Sequence, residues 1–116
     1  MNNCYQIKYT ETFQIELENI IKYIAYELKN KIAAENLLLR IEEEIKKRSK
    51  NPEAFKSFKI NKEAIFNWYR INVNNYSIFY TVTNQTMEVR RILYCKRNLF
   101  SIIKEWTFQR FILLFL

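Results

Sequence analysis

The sequence predicts an α+β domain with the order β-α-α-β-β-β. An antiparallel sheet packs on an N-terminal helical hairpin, and a short C-terminal helix follows. Three observations lead there. Apolar residues recur every three to four positions from Phe13 to Ile45, they alternate with polar ones from Trp68 to Tyr94, and the one proline, Pro52, falls between the two regimes. Helices and strands kept in separate runs give a sheet covered on one face by its helices. With 116 residues, the chain has the size of one domain. The expected division is a folded domain over 1–105 and an apolar extension over 106–116.

Tyr5, Ile7 and Tyr9 alternate with polar neighbours and read as the first strand. Thr10 or Thr12 offers an N-cap, with Glu11 near the first turn. From Phe13 the apolar face runs through Leu17, Ile20, Ile21, Ile24 and Leu28, so the first helix ends near Asn30. Ala34, Leu37, Leu38, Ile41 and Ile45 form one face of a second helix, which Asn51-Pro52 stops. After an irregular stretch over 53–65, Trp68–Val73 alternates with Tyr69, Ile71 and Val73 on one side. Asn74-Asn75 reads as a two-residue turn, Tyr76–Val82 as the next strand, Asn84-Gln85 as another turn, and Met87–Tyr94 as the last strand. The chain has no glycine, so positive-φ turns must rest on asparagine, the next most tolerant residue.

Composition narrows the function classes. An apolar share of 49% with 16% aromatic residues excludes a disordered chain. The net charge of +7 is one-sided: residues 1–55 carry nine Lys/Arg and nine Asp/Glu, whereas residues 56–116 carry ten against three. A basic second half suits a polyanion or an acidic protein. Histidine is absent, and the two cysteines, Cys4 and Cys95, have no metal-ligand spacing, so no metal and no cofactor are expected. Met1–Tyr9 lacks the apolar core of a signal peptide, which predicts a cytoplasmic protein with free thiols and no membrane association. The run from Trp106 to Leu116 is strongly apolar, yet about half the length that a membrane-spanning helix needs. Its burial is expected against the sheet, a partner, or a second copy in a homodimer.

Three stretches, in order, resemble the RelE/ParE toxin superfamily of type II toxin–antitoxin systems, the plasmid-stabilisation type. Leu17–Ala25 (LENIIKYIA) is similar to the first helix of that family, and Ala33 through Ile45 to Asn51-Pro52 is similar to its second helix and following proline. The third stretch, Tyr69–Tyr80 (YRINVNNYSIFY) followed by Val89–Asn98 (VRRILYCKRN), resembles the family's arginine strand, its N-Y-x-I/V-F-Y strand, and its R-I-L-Y/H-G-R-R-D ending. Together they cover roughly residues 5–103. The family's glycine is Cys95 here, its aspartate is Asn98, and a position that often carries arginine is Ser77.

The resemblance implies a toxin whose partner is a cognate antitoxin, with the basic second half and an apolar groove between helices and sheet as receptors. It implies one of two activities, DNA gyrase poisoning by binding or ribosome-dependent messenger RNA cleavage. A third reading is a copy that binds antitoxin and poisons nothing. RNA cleavage needs a base, an acid and cations for the developing phosphorane charge. Arg70, Arg90, Arg91, Lys96 and Arg97 are the candidate target-binding cations, and Glu63, Tyr94 and Lys96 are weak acid–base candidates. The scarcity of acid–base groups and the Y-x-K-R-N ending favour a gyrase-type target. Strict strand alternation sends Arg90 and Arg91 to opposite faces, and the face away from the helices is expected to be open and to present the site. Tyr69, Tyr76, Phe79 and Tyr80 read as core rather than as base-stacking groups.

Overall fold

The computed structural model describes residues 5–63 and 65–95. The expected C-terminal helix from Asn98, the domain boundary near 105, and the 106–116 extension lie outside these residues. The order is β1 (Gln6–Tyr9), α1 (Glu11–Lys22), a wider helical turn (Tyr23–Glu27), α2 (Lys31–Arg48), β2 (Trp68–Val73), β3 (Tyr76–Thr83) and β4 (Thr86–Tyr94). Thr10 caps α1, accepting from Phe13 N–H, and Asn30 caps α2, accepting from Ala33 N–H. In the turn that closes α1, Leu28 N–H donates to the carbonyl of Tyr23, five residues back.

The four strands lie in the order β1-β4-β3-β2. β2, β3 and β4 are antiparallel, whereas β1 joins β4 in parallel, so the sheet is mixed rather than wholly antiparallel. Alternation in Tyr5–Tyr9 carries no direction, and the helical hairpin returns the chain so that β1 meets the last strand. The turns are as the sequence predicts: Asn74 sits at φ 53°, and Asn84 and Gln85 at 49° and 60°, the double positive φ of a type I′ hairpin. Cys95 is not at positive φ, which is why cysteine is tolerated where the family has glycine.

One face of the sheet carries the main core, where Phe13, Leu37, Ile41 and Ile45 of the hairpin meet Ile71, Val73, Ile78, Met87, Val89 and Ile92. Tyr69 and Tyr80 belong to it, stacked with centroids 5.0 Å apart, so they are packing residues. The other face is not open along its length. Trp68, Phe79 and Leu93 form a second cluster there, and Phe58 and Ile60 of the 53–67 segment pack onto it, with Phe58 and Trp68 exchanging backbone hydrogen bonds. The apolar residues Trp68, Phe79 and Leu93 need cover, and the irregular segment supplies it.

Tyr80 ties hairpin, loop and sheet together. Its hydroxyl donates to the Pro52 carbonyl at 2.7 Å and accepts from Arg48 Nη1 at 2.9 Å. Arg48 also donates to the Arg70 carbonyl at 3.2 Å and lies over the Phe55 ring. Tyr80→Phe is expected to destabilise the fold by about 2 kcal/mol, because both Pro52 and Arg48 lose a partner at a buried site. Burial also raises the Tyr80 hydroxyl above its ordinary 10.0, against the lowering effect of Arg48. A raised folded-state value means that this contribution is complete below pH 10 and is lost as the pH climbs through the raised value. Melting temperature against pH checks this: the alkaline decline should be shallower in Tyr80→Phe than in the native chain.

Candidate functional site

On the face away from the hairpin, the two-residue turn at Asn74-Asn75 sets Asn72 opposite Ser77 and Arg70 opposite Phe79. This register gathers four polar side chains. Arg70 Nε donates to Asn72 Oδ1 and to Ser77 Oγ, each at 2.9 Å, and the fully buried Ser77 donates to Asn72 Oδ1 at 3.1 Å. The Cys95 sulfur lies 3.1 Å from Ser77 Oγ. The guanidinium carbon stands 6.0 Å from the Phe79 ring centroid, on its face. Arg70 itself is exposed, and its terminal nitrogens take no further partner among the described residues. A guanidinium held through Nε presents its two outer nitrogens as a fork aimed in a fixed direction, suited to a carboxylate or a phosphate.

Arg90 shares that face, 5.5 Å from the Trp68 ring centroid and paired with Glu88 at 3.2 Å. Arg91 does not project freely. The ladder slips between Phe79 and Tyr80, with Phe79 opposite Arg91 and Tyr80 opposite Val89, which leaves Arg90 as an extra residue. Simple alternation through Arg90-Arg91 therefore fails, and the expectation of opposite faces is replaced by a bulge.

Beyond residue 89, β1 no longer flanks β4, and α1 takes over its rim. Thr10 N–H donates to the Val89 carbonyl, and Thr10 Oγ1 donates to the Arg90 carbonyl. Glu16 accepts two bonds from Arg91, at 2.9 and 2.8 Å, and a third from the Ile92 N–H at 3.2 Å. Both side chains of this pair are only about a fifth exposed, so the Arg91 charge is spent on the fold.

The acid–base candidates are not brought together. Tyr94 pairs with Tyr76 in register and leans on its ring at 5.6 Å on the hairpin side of the sheet, opposite Arg70. Glu63 is exposed in the segment before β2, with its N–H bonded to Asn61. Lys96 and Arg97 lie outside the described residues. Asn72 and Glu16 were not singled out from sequence. Asn72 could have been, since a two-residue turn fixes its pairing with Ser77. Nothing marks Glu16 among the helix acids before the rim of β4 is known.

A groove of about 880 Å³ opens at one end of the molecule between the hairpin and the ends of β3 and β4, lined by Ile20, Tyr23, Leu28, Tyr76, Leu93 and Tyr94 among others. Among the described residues no helix is long and apolar enough to cross a membrane, and no three His, Cys, Asp or Glu side chains cluster as a metal site would require.

The family model described as ParE toxin of type II toxin–antitoxin system, parDE, matches residues 7–99. A search of curated protein sequences finds no match. Among solved structures, the fold is similar to a chain of the chromosomal ParDE toxin–antitoxin system from P. aeruginosa, with a TM-score of 0.62 at 14% identity, covering 81% of this chain and 99% of that one. A chain of the RelB-RelE antitoxin-toxin complex from Methanococcus jannaschii matches at TM-score 0.42 and 29% identity, over 77% of this chain and 91% of that one. A chain of the archaeal RelE-RelB complex from Pyrococcus horikoshii OT3 matches at 0.49 and 15%, over 84% and 100%.

Proposed function

The chain belongs to the ParE toxin family of type II toxin–antitoxin systems, and on that premise we propose that it arrests growth by binding a DNA-gyrase-like target rather than by cutting RNA. One observation carries the reading: the oriented fork of Arg70 is surrounded by Asn72, Ser77 and Cys95, with neither Glu63 nor Tyr94 bonded to that group. Among the described residues, such a site offers directed cationic recognition without a bonded general acid or base, which suits a binding poison better than a nuclease, whose chemistry requires both. Arg70 and Arg90 form its described part. Lys96 and Arg97, next in the chain after Cys95, complete the proposed target-binding set.

The proposed partner is a cognate antitoxin of acidic character, for which the basic second half is the receptor. Pulse-labelling of DNA and protein synthesis, after inducing the chain without antitoxin in bacteria, tests the reading. DNA synthesis should fall first. An earlier fall in protein synthesis would transfer the site to ribosome-dependent cleavage of messenger RNA. No fall in either would make the chain an antitoxin-binding relic.

A further inference from the structure

The segment between α2 and β2 carries charge that the fold does not consume. Residues 54–72 hold four cations, Lys56, Lys59, Lys62 and Arg70, against one acid, Glu63. All five are exposed, and among the described residues none of them enters an ion pair. Phe58 and Ile60 pack onto the Trp68, Phe79 and Leu93 cluster, so the exposed Lys59 between them is turned away from the sheet. Backbone hydrogen bonds between Phe58 and Trp68 fix this strap two residues short of Arg70. With strands about 4.8 Å apart and about 3.4 Å per residue, the backbones of Lys59 and Arg70 lie on the order of 10 Å apart. Arg90 borders the same face beside Trp68, with Glu88 on one of its nitrogens.

The form of this surface selects its ligand. Protein partners anchor on aromatic or aliphatic hot spots, yet Trp68, Phe79 and Leu93 are already buried. Among the described residues of 56–72, Ile65 is the one large apolar side chain left exposed. Single-stranded nucleic acid needs open aromatic platforms on which bases stack. Here Phe58 lies against the buried cluster, and the Phe55 ring carries the Arg48 guanidinium 3.6 Å from its centroid. Duplex phosphates require neither feature, only cations spread over an exposed polar surface.

We infer that this strap and the neighbouring Arg70 fork form a binding surface for the phosphate backbone of duplex DNA, held without regard to base sequence. The biological setting rests on the gyrase-type reading above: the chain meets its target together with the DNA that the target holds. Arg70 supplies the oriented contact, and Lys56, Lys59 and Lys62 supply point charges on flexible stems along the backbone.

Fluorescence anisotropy of a labelled, random-sequence duplex, titrated with the purified full-length chain at a series of salt concentrations, tests the inference. Four phosphate contacts predict that log K falls against log salt with a slope of about −3.6. Combining Lys56→Ala, Lys59→Ala and Lys62→Ala should bring the slope to about −1 and weaken binding tenfold or more, with the melting temperature unchanged. Lys31→Ala, exposed at the start of α2, should match the native chain in slope and affinity. Absence of binding at low salt, or a native slope in the triple variant, would overturn the inference. So would tighter binding to a single strand or to an RNA duplex of the same length. No gyrase-like protein enters this titration, so its failure removes the DNA surface and leaves the proposed arrest of DNA synthesis standing. An early fall in protein synthesis on pulse-labelling removes that arrest instead, whatever the titration gives.

Discussion

Replacing Arg70 with glutamate is expected to weaken target binding by about 2–4 kcal/mol, which is about 30- to 1000-fold in Kd, and to abolish growth arrest on induction. The magnitude follows from what the side chain does. Its Nε is committed to Asn72 and Ser77, so the outer nitrogens are already oriented and little entropy is lost when they meet an anionic group. Glutamate reverses the charge at that point and leaves the two polar partners without their donor. Graded variants separate orientation from charge. Arg70→Lys keeps the charge without the fork and should retain part of the activity. Ser77→Ala, which lets the guanidinium swing, should cost less than Arg70→Glu and shift the melting temperature little. Glu63→Gln should be silent. Plating efficiency after induction, alongside melting temperature for each variant, provides the readout. Full toxicity in folded Arg70→Glu would remove the sheet-face site, whereas loss of toxicity in Glu63→Gln would bring back general acid–base chemistry.

The second large effect is on stability. Glu16→Ala is expected to destabilise the fold by about 3 kcal/mol, a substantial share of the 5–15 kcal/mol typical of a domain. One carboxylate answers both the Arg91 guanidinium and the Ile92 amide, so its removal strands a largely buried charge and a backbone donor together. Glu16→Gln retains an acceptor for the amide and should cost roughly half as much. Pairing Glu16→Ala with Arg91→Met should recover part of the loss, because the unpaired charge is then gone as well. Urea unfolding of the four proteins checks the order. Equal stability of native and Glu16→Ala chains would mean that the rim of β4 is held by other contacts.

Most of the architecture was legible in the sequence because the hydrophobic period changes once, at Pro52, and because the Asn74-Asn75 and Asn84-Gln85 pairs stand where turns must be. A cap at Thr10 or Thr12, the bounds of β2, and the core roles of Tyr69 and Tyr80 follow from the same local rules, and the structure uses Thr10. Three features did not follow. The parallel direction of β1 depends on where the hairpin returns the chain, and a four-residue alternation contains no information on that. The bulge at Arg90 is a property of the β3–β4 ladder and has no marker such as glycine at the extra residue. Cover of the second sheet face by Phe58 and Ile60 comes from a segment without periodicity. The site was legible in part. Arg70 stood out as a cation on the polar side of its strand, and the turn implies that Ser77 pairs with Asn72, two residues along that strand. The sequestration of Arg91 by Glu16, 75 residues away, is visible only in three dimensions.

The rims of the sheet have a consequence for solution behaviour. On one side, Thr10 and Glu16 occupy the backbone groups of β4 that β1 leaves behind. On the other, Phe58 bonds the Trp68 backbone and Arg48 takes the Arg70 carbonyl. These stretches of the two rims are thus covered by groups from the same chain, so neither the part of β4 beyond β1 nor the start of β2 is a ready template for cross-chain strand pairing. Losing Glu16 or Arg48 would open such a template next to strands rich in tyrosine and isoleucine. These two variants should therefore form thioflavin-binding aggregates at temperatures where the native chain remains clear.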